Sequence, residues 1–383
     1  MIHLAKEDVR HSLGKFIVTA MGVGMLLGIV LIMMGVYRGM IVDAEVLLHD
    51  LDADLWVVQE NTLGPFAESS RVHEGLKETL KSVPGIDKAE AITFQSIQLP
   101  SKNGQKKVRV QVVGYDVYGD INPINPKRLI AGRKLEIDHY EIVVTDKTGY
   151  SLNDTIALGR HNYRVVGITH GSVASGGDSL VYMSLKDAQQ IQFSYSNKRI
   201  QTDRARGIVN KDSHLVNAII ATLSPGYNAD EVAKEITKWY HKSVYTRADQ
   251  KIVLTRNVIE KASKQIGLFT AILVAVSTII IALIIYTMTL EKMKEISIMK
   301  LIGLPNRMIT QMIVQETLLL GVLAFMFGNV FAYFISDKFP KRIVLDLPDA
   351  FGLFGVVLIA SILASFIGVK KVISADPAAA IGG

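Results

Sequence analysis

EKMKEISIMKLIGLPNRMITQMIVQE, residues 291–316, is the stretch that decides the fold, because it begins where one long apolar run ends and continues into the next. Charged residues alternate with apolar ones, and no polar face separates from an apolar face at helical spacing. Gly303 predicts the end of a short helix, and Pro305 predicts the start of the next. Two interpretations remain open at this point: an ordinary connector between two membrane spans, or a short helix covered by another protein.

The two apolar runs that this stretch joins belong to a set of four. Each run is long enough to cross the hydrocarbon core of a bilayer as a helix. The predicted spans are residues 16–40, 266–290, 305–336 and 350–369. The first run is too long for the apolar region of a signal peptide, and no small-residue cleavage site follows it.

The remaining large segment, residues 41–265, has the composition of a soluble domain. It shows a strand–helix–strand order twice, on either side of a middle section that is richer in strands. The predicted parts are an α/β part at 41–114 and 198–247, an inserted β-rich subdomain at 115–197, and a stalk helix at 248–265. The fold class predicted is therefore an α-helical membrane protein with four transmembrane helices and a large α/β extracytoplasmic domain between the first and second spans.

The short segments outside the spans complete the predicted topology. They are an amphipathic interfacial helix at 1–15, a cytoplasmic helix at 291–304, an external loop at 337–349 and a cytoplasmic tail at 370–383. Lys and Arg are more frequent on one side of the spans, and this positive-inside bias favours both termini in the cytoplasm of a bacterial inner membrane. Arg38, at the outer end of the first span, is predicted to anchor to lipid headgroups.

Composition and missing motifs exclude several function classes. Of the residues, 49% are hydrophobic and only 20% are charged, which exceeds the apolar content of a usual soluble domain. The net charge of +6 is dispersed, so we predict no nucleic-acid binding. We find no Walker A motif, no His-Glu-x-x-His, no Gly-x-Ser-x-Gly and no cysteine. The chain is therefore predicted to be no enzyme, with no metal site and no ATPase motif of its own.

Small residues and one carboxylate mark candidate structural positions inside the spans. Gly24 and Gly28 form a GxxxG pair, which lets a neighbouring helix approach closely. Ala360, Ala364 and Gly368 repeat every four residues and predict a second helix-contact face. Glu316 follows Pro305 by eleven residues, which leaves two interpretations: a carboxylate inside the bilayer, or one at the inner interface.

Several of these motifs together carry a resemblance to a known family. Glu295-Ile296, Leu301-Ile302-Gly303 and Glu316 resemble the signature of the FtsX-like permeases, which include MacB-, LolC/LolE-, FtsX-, DevC- and haem-exporter-type proteins. The insert resembles the MacB-like periplasmic core domain at residues 131–133, 152–168 and 180–185, and residues 375–379 resemble the Asp-Pro ending of the family. The likeness covers essentially the whole chain, although no extended hook of the LolC type is present.

The resemblance implies a function and a set of site residues. The family implies the membrane subunit of an ABC-type export or mechanotransmission system, working as a homodimer with a cytoplasmic ABC ATPase subunit that binds ATP and Mg. No cofactor is expected on this chain. The implied ATPase-coupling residues are Glu291, Lys292, Glu295, Ile296, Met299, Lys300, Ile302 and Gly303. For Glu316 the family implies a structural role in the dimer or the coupling region.

Two further expectations follow from the resemblance. A periplasmic adaptor protein is expected where the host has an outer membrane, and membrane lipid surrounds the spans. The cargo classes in the family range over peptides, macrolide-like compounds, glycolipids, haem and lipoproteins. The alternative function is that of a non-transporting regulator of the FtsX type, which relays the state of the ATPase to an external hydrolase or sensor.

Overall fold

The computed structural model describes residues 13–100, 102, 107–159, 161–196, 214–336, 338–339 and 341–374. The chain divides into two compact units: a membrane unit, up to Gly39 and from Ala262 onward, and an extracytoplasmic unit, Met40–Lys261. The predicted interfacial helix lies almost wholly outside the described residues, as does most of the predicted tail.

The elements follow one another in an order that places a mixed α/β domain between apolar helices. From the N-terminal side they are α1 (Leu13–Leu51), β1 (Leu55–Val58), β2 (Val72–His73), α2 (Leu76–Lys81), β3 (Ile86–Pro100), β4 (Lys107–Tyr115), β5 (Leu129–Gly132), β6 (Glu141–Thr145), β7 (Thr155–Leu158), β8 (His161–Thr169), β9 (Ser179–Ser184), α3 (Leu185–Ser196), β10 (Leu215–Val216), β11 (Ala218–Leu223), α4 (Ala229–Tyr240), β12 (Ser243–Thr246) and α5 (Arg247–Val253). A π-helical turn, Leu254–Ile259, leads to α6 (Glu260–Glu291), α7 (Met293–Leu301), α8 (Asn306–Ser336) and α9 (Leu347–Ser374).

The extracytoplasmic unit is built on one sheet, which in the described part of the chain has ten strands. The order is β12-β1-β11-β3-β4-β9-β6-β8-β5, with β7 paired to β8. Strand β3 is 15 residues long, and it pairs with β11 through its first half and with β4 through its second. The predicted inserted subdomain is therefore joined to the outer α/β part by continuous strand pairing.

Both faces of this sheet are covered, which explains the apolar runs in its central strands. Trp56 and Val58 of β1 enter one core cluster, which also contains Leu47 and Leu51 of α1. The alternate residues Leu55 and Val57 enter a second cluster with side chains of α2 and α4. This alternation follows from the two-residue period of a strand.

Four helices in the described part of the chain are long and apolar enough to cross a membrane. Helix α1 has 39 residues, roughly 58 Å at 1.5 Å per residue. It therefore extends well past residue 40, where the sequence predicts the end of the first span. The predicted stalk at 248–265 comprises most of α5, the π-helical turn and the start of α6. The predicted fold class, four membrane helices with a large α/β domain between the first two, is confirmed.

Candidate functional site

The predicted cytoplasmic segment at 291–304 contains α7, a nine-residue helix with a defined start and end. Glu291 is the last residue of α6, and Lys292 alone separates α6 from α7. At the other end, Gly303 has a φ of +96°, and the N–H groups of Gly303 and Leu304 donate to the carbonyls of Lys300 and Met299 at 3.0 Å each. These two bonds form a Schellman motif, which fixes the turn into α8.

One face of α7 is buried within the membrane unit. Ile296 is 1% exposed and belongs to a core cluster, with Met299 packed against it half-buried. The other members of the cluster are Ile309, Met312 and Ile313 of α8 and Val369 of α9. The side chain of Ile296 thus holds α7 on α8, and its predicted role in ATPase coupling stays a prediction.

The opposite face of α7 is also apolar, but it is exposed. Ile298, Leu301 and Ile302 are 49%, 62% and 74% exposed, and the charged Glu295 lies on the same side. Their spacing of three and four residues places them along one helix face. Apolar residues on both faces explain why the sequence shows no separation of polar and apolar residues. An exposed apolar patch of this kind marks a surface that contacts either a protein partner or the membrane.

Lys292, just before α7, and Glu316 of α8 form a largely buried ion pair. The Nζ of Lys292 lies 2.5 Å from Oε1 of Glu316, and their side chains are 14% and 11% exposed. A small cavity next to the pair has room for about one water molecule. The structure therefore brings together two residues that the sequence singled out separately. Glu291 instead forms an exposed pair with Lys15, and Lys300 is half-buried.

The GxxxG pair of α1 packs against α8 of the same protomer. A β-carbon on Gly24 would lie 2.7 Å from the carbonyl oxygen of Ala324, and one on Gly28 would lie 2.8 Å from that of Gly328. A β-carbon on Gly328 would likewise lie 2.8 Å from the carbonyl oxygen of Gly24. Backbones this close require glycine on both helices.

The second predicted contact face, on α9, is largely buried. Ala360 and Ala364 are 4% and 2% exposed, and Gly368 lies within α9. A β-carbon on Gly321 of α8 would lie 2.6 Å from Oγ of Ser361, so α8 and α9 approach closely at this level.

Around Arg38, near the predicted end of the first span, the structure shows a cluster that the sequence did not predict. Arg38 pairs with Asp349 and, at 3.0 Å, with Asp346, so its partner is protein rather than the lipid headgroup that the sequence predicts. The backbone N–H of Val344 donates to the carbonyl of Gly35 at 3.0 Å. In the sequence, only the spacing Gly35-x-x-Arg38-Gly39 could have indicated this contact. Similar spacings of small residues are common in membrane spans, so it was not distinctive.

Within the described residues, no group of three or more His, Asp or Glu side chains is arranged to hold a metal ion. The sites of interest in the membrane unit are thus an exposed apolar helix face, a buried ion pair and two close helix crossings. Such an arrangement can bind a protein and transmit movement.

Comparison with known proteins agrees with this arrangement. Residues 16–239, more than half of the chain, match the family model of the MacB-like periplasmic core domain, and residues 267–377 match that of the FtsX-like permease C-terminal region. The chain therefore belongs to the FtsX-like ABC transporter permeases that carry a MacB-like periplasmic core domain. It is a multi-pass membrane protein of the permease class, and this class implies a partner ATPase subunit.

Relatives match this chain over essentially their whole length. An uncharacterised ABC transporter permease of Mycobacterium tuberculosis is 24% identical over 383 residues, 100% of both chains. The putative hemin transport system permease protein HrtB of Staphylococcus haemolyticus is 25% identical over 395 residues, 100% of this chain and 99% of the relative. Among solved structures, the periplasmic region of MacB from Actinobacillus actinomycetemcomitans is 13% identical, covers 54% of this chain and 94% of its own, and gives a TM-score of 0.35.

Proposed function

We propose that this chain is the permease subunit of an ABC-type export or mechanotransmission system and works as a homodimer in a bacterial inner membrane. Both termini and α7 face the cytoplasm in this proposal. Two ATPase subunits bind ATP and Mg, close on each other, and displace α7. The extracytoplasmic domain then moves, with a periplasmic adaptor bound to it where the host has an outer membrane.

The observation that carries the proposal is the exposed apolar face of α7. Ile298, Leu301 and Ile302 belong to the short segment that connects the membrane helices α6 and α8. Burying a side chain of this size in a partner contributes about 1.5–3 kcal/mol. An exposed charge such as Glu295 adds about 0–1 kcal/mol at the rim of such a contact. Apolar truncation on this face should therefore weaken ATPase binding more than charge removal does.

The test is co-purification of the permease with its partner ABC ATPase. We expect Leu301→Ala with Ile302→Ala to weaken ATPase binding at least about a hundredfold, because each truncation removes roughly 2 kcal/mol of contact. The matched control is Ile279→Ala with Leu283→Ala, two residues of α6 with similar exposure, 66% and 59%. The control should bind the ATPase at wild-type yield. Equal binding by both double variants would refute the assignment of α7.

The alternative proposal is that the chain is a non-transporting regulator. It would bind the ATPase through α7 in the same way, but its extracytoplasmic domain would act on a different partner. An external hydrolase or sensor would then be the partner of the extracytoplasmic domain. In the purified complex, ATP hydrolysis stimulated by a cargo favours export. Stable binding of an external hydrolase, with no cargo stimulation, favours the regulator.

A further inference from the structure

Lys292, which pairs with Glu316, is the single residue between the end of α6 and the start of α7. The N–H of Lys292 still donates to the carbonyl of Met288 at 3.2 Å, and the carbonyl of Lys292 accepts from Ile296 at 2.9 Å. The backbone is thus hydrogen-bonded on both sides of the break. The side chain of the same residue reaches α8, where Glu316 lies about 15 Å along the helix from Asn306.

Apolar side chains surround this pair and make its separation costly. Phe16 of α1, Ile285 and Met288 of α6, and Met312 and Ile313 of α8 line the adjacent cavity together with the pair. A charge left alone in such surroundings loses its hydration without compensation. Lys292 and Glu316 are therefore expected to move together whenever either helix is displaced.

A second Lys–Glu pair at the same end of the membrane unit provides a direct contrast. Lys15 and Glu291 are separated by 3.5 Å, and their side chains are 80% and 65% exposed. Water and salt screen an exposed pair of this kind, and it constrains geometry weakly. Adjacent residues, Glu291 and Lys292, thus form one weak contact and one strong contact.

Helix α7 is attached to α8 at two further points. Ile296 packs on Ile309 and Ile313, and the Schellman turn at Gly303 fixes the connection between the two helices. The ion pair adds a third attachment at the opposite end of α7. Three attachments therefore hold α7 on α8.

We propose that the Lys292–Glu316 pair is the joint through which displacement of α7 is transmitted to α8. Lys292 and Glu316 are then positioning residues for energy coupling, and neither contacts the ATPase nor a cargo. This inference rests on the proposed function of α7 as the ATPase contact.

The experiment measures ATPase binding and the ATP-dependent movement of α8 separately. Permease and ATPase are reconstituted in nanodiscs, and Tyr333→Cys on α8, a 70% exposed position in a chain without other cysteines, reports movement through its rate of maleimide labelling. The variant is Lys292→Met with Glu316→Gln, which removes both charges and leaves neither one buried alone. The control is Lys15→Gln, which breaks the exposed pair with Glu291 and leaves Glu291 itself unchanged.

We expect wild type and control to change their labelling rate at least threefold on addition of ATP. The neutral variant should bind the ATPase at wild-type yield but lose this change, and the exchange Lys292→Glu with Glu316→Lys should restore part of it. If the neutral variant keeps the ATP-dependent change in labelling rate, the proposed role of the ion pair is refuted. It is also refuted if the wild type shows no change. If the wild-type permease does not bind the ATPase at all, the proposed function itself is refuted. Co-purification detects that outcome independently of the labelling rates.

Discussion

Gly39 of α1 lies against the backbone of Arg342, so that a β-carbon on Gly39 would be 1.9 Å from the carbonyl oxygen of Arg342. Earlier in the same helix, Arg38 and Gly35 hold the same segment through ion pairs and a backbone hydrogen bond. Residues 35–39 of α1 and the segment that leads into α9 are therefore held together at several points.

We expect Gly39→Ala to destabilise the membrane unit by about 1–3 kcal/mol, because neither backbone can move without breaking the neighbouring contacts. Thermal unfolding in detergent measures this. The control is Gly22→Ala in the same helix, where a β-carbon meets nothing within 4 Å. In the control, the better helix propensity of alanine should leave stability unchanged or raise it by up to about 1 kcal/mol. Equal melting temperatures for both variants would contradict the close contact.

The glycine crossing between α1 and α8 gives a second prediction. Gly28→Leu should separate these helices within the protomer, because the side chain would displace Gly328 and Phe331. We expect a fall in thermal stability, with membrane insertion retained. Gly14→Leu is the control, since its β-carbon meets nothing within 4 Å. Loss of dimers with unchanged protomer stability would instead place this face between subunits.

Gly303 gives a prediction about backbone conformation alone. Its φ of +96° is unfavourable for a residue with a β-carbon, although open space surrounds it. Gly303→Val should therefore cost about 1–2 kcal/mol and misdirect the turn into α8, which lowers the ATP turnover of the complex. Gly303→Asn should retain more turnover, because asparagine tolerates positive φ better. Equal turnover of the two variants would show that the turn geometry does not matter for coupling.

Topology is tested by cysteine labelling in a chain that has no cysteine. A cysteine at Gly176, where a β-carbon meets nothing, should react with an impermeant maleimide from outside intact spheroplasts. Leu301→Cys, at a 62% exposed position, should react only after lysis. Labelling of Leu301→Cys in sealed cells would reverse the orientation.

The extracytoplasmic unit contains a partly buried ion network whose stability should depend on pH. The Nζ of Lys77 lies 2.9 Å from Asp116 and 3.2 Å from Glu90. Burial acts to raise the pKa of Asp116, but the hydrogen bond and charge of Lys77 outweigh it and hold the pKa below its usual value. A lowered pKa stabilises the fold above the unfolded-state pKa of about 3.9, and this stabilisation is lost as pH falls through the folded-state pKa.

We therefore expect Asp116→Asn to cost up to about 1 kcal/mol near pH 7 and progressively less below about pH 4. Denaturation followed by tryptophan fluorescence measures this, since Trp56 is fully buried in the same unit. A difference between wild type and variant that stays constant down to pH 3 would show that the carboxylate charge makes no contribution.

Local pattern in the sequence determined a large part of this protein. Four long apolar runs predict four membrane helices, because transfer into a bilayer depends on composition summed over about 20 residues. Gly303 and Pro305 likewise predict a helix end and a helix start, since both signals act within one turn of backbone. The alternation of strands and helices in the insert predicts an α/β domain for the same local reason.

Contacts between distant residues were decided only by the tertiary structure. Which face of α7 is buried could not be predicted, because Ile296 and Ile302 are equally apolar and only the position of α8 distinguishes them. Arg38 and Asp349 are 311 positions apart, and no pattern in either segment indicates that they meet. A helix fixes which of its residues share a face, whereas the crossing of two helices fixes which residues on those faces come into contact.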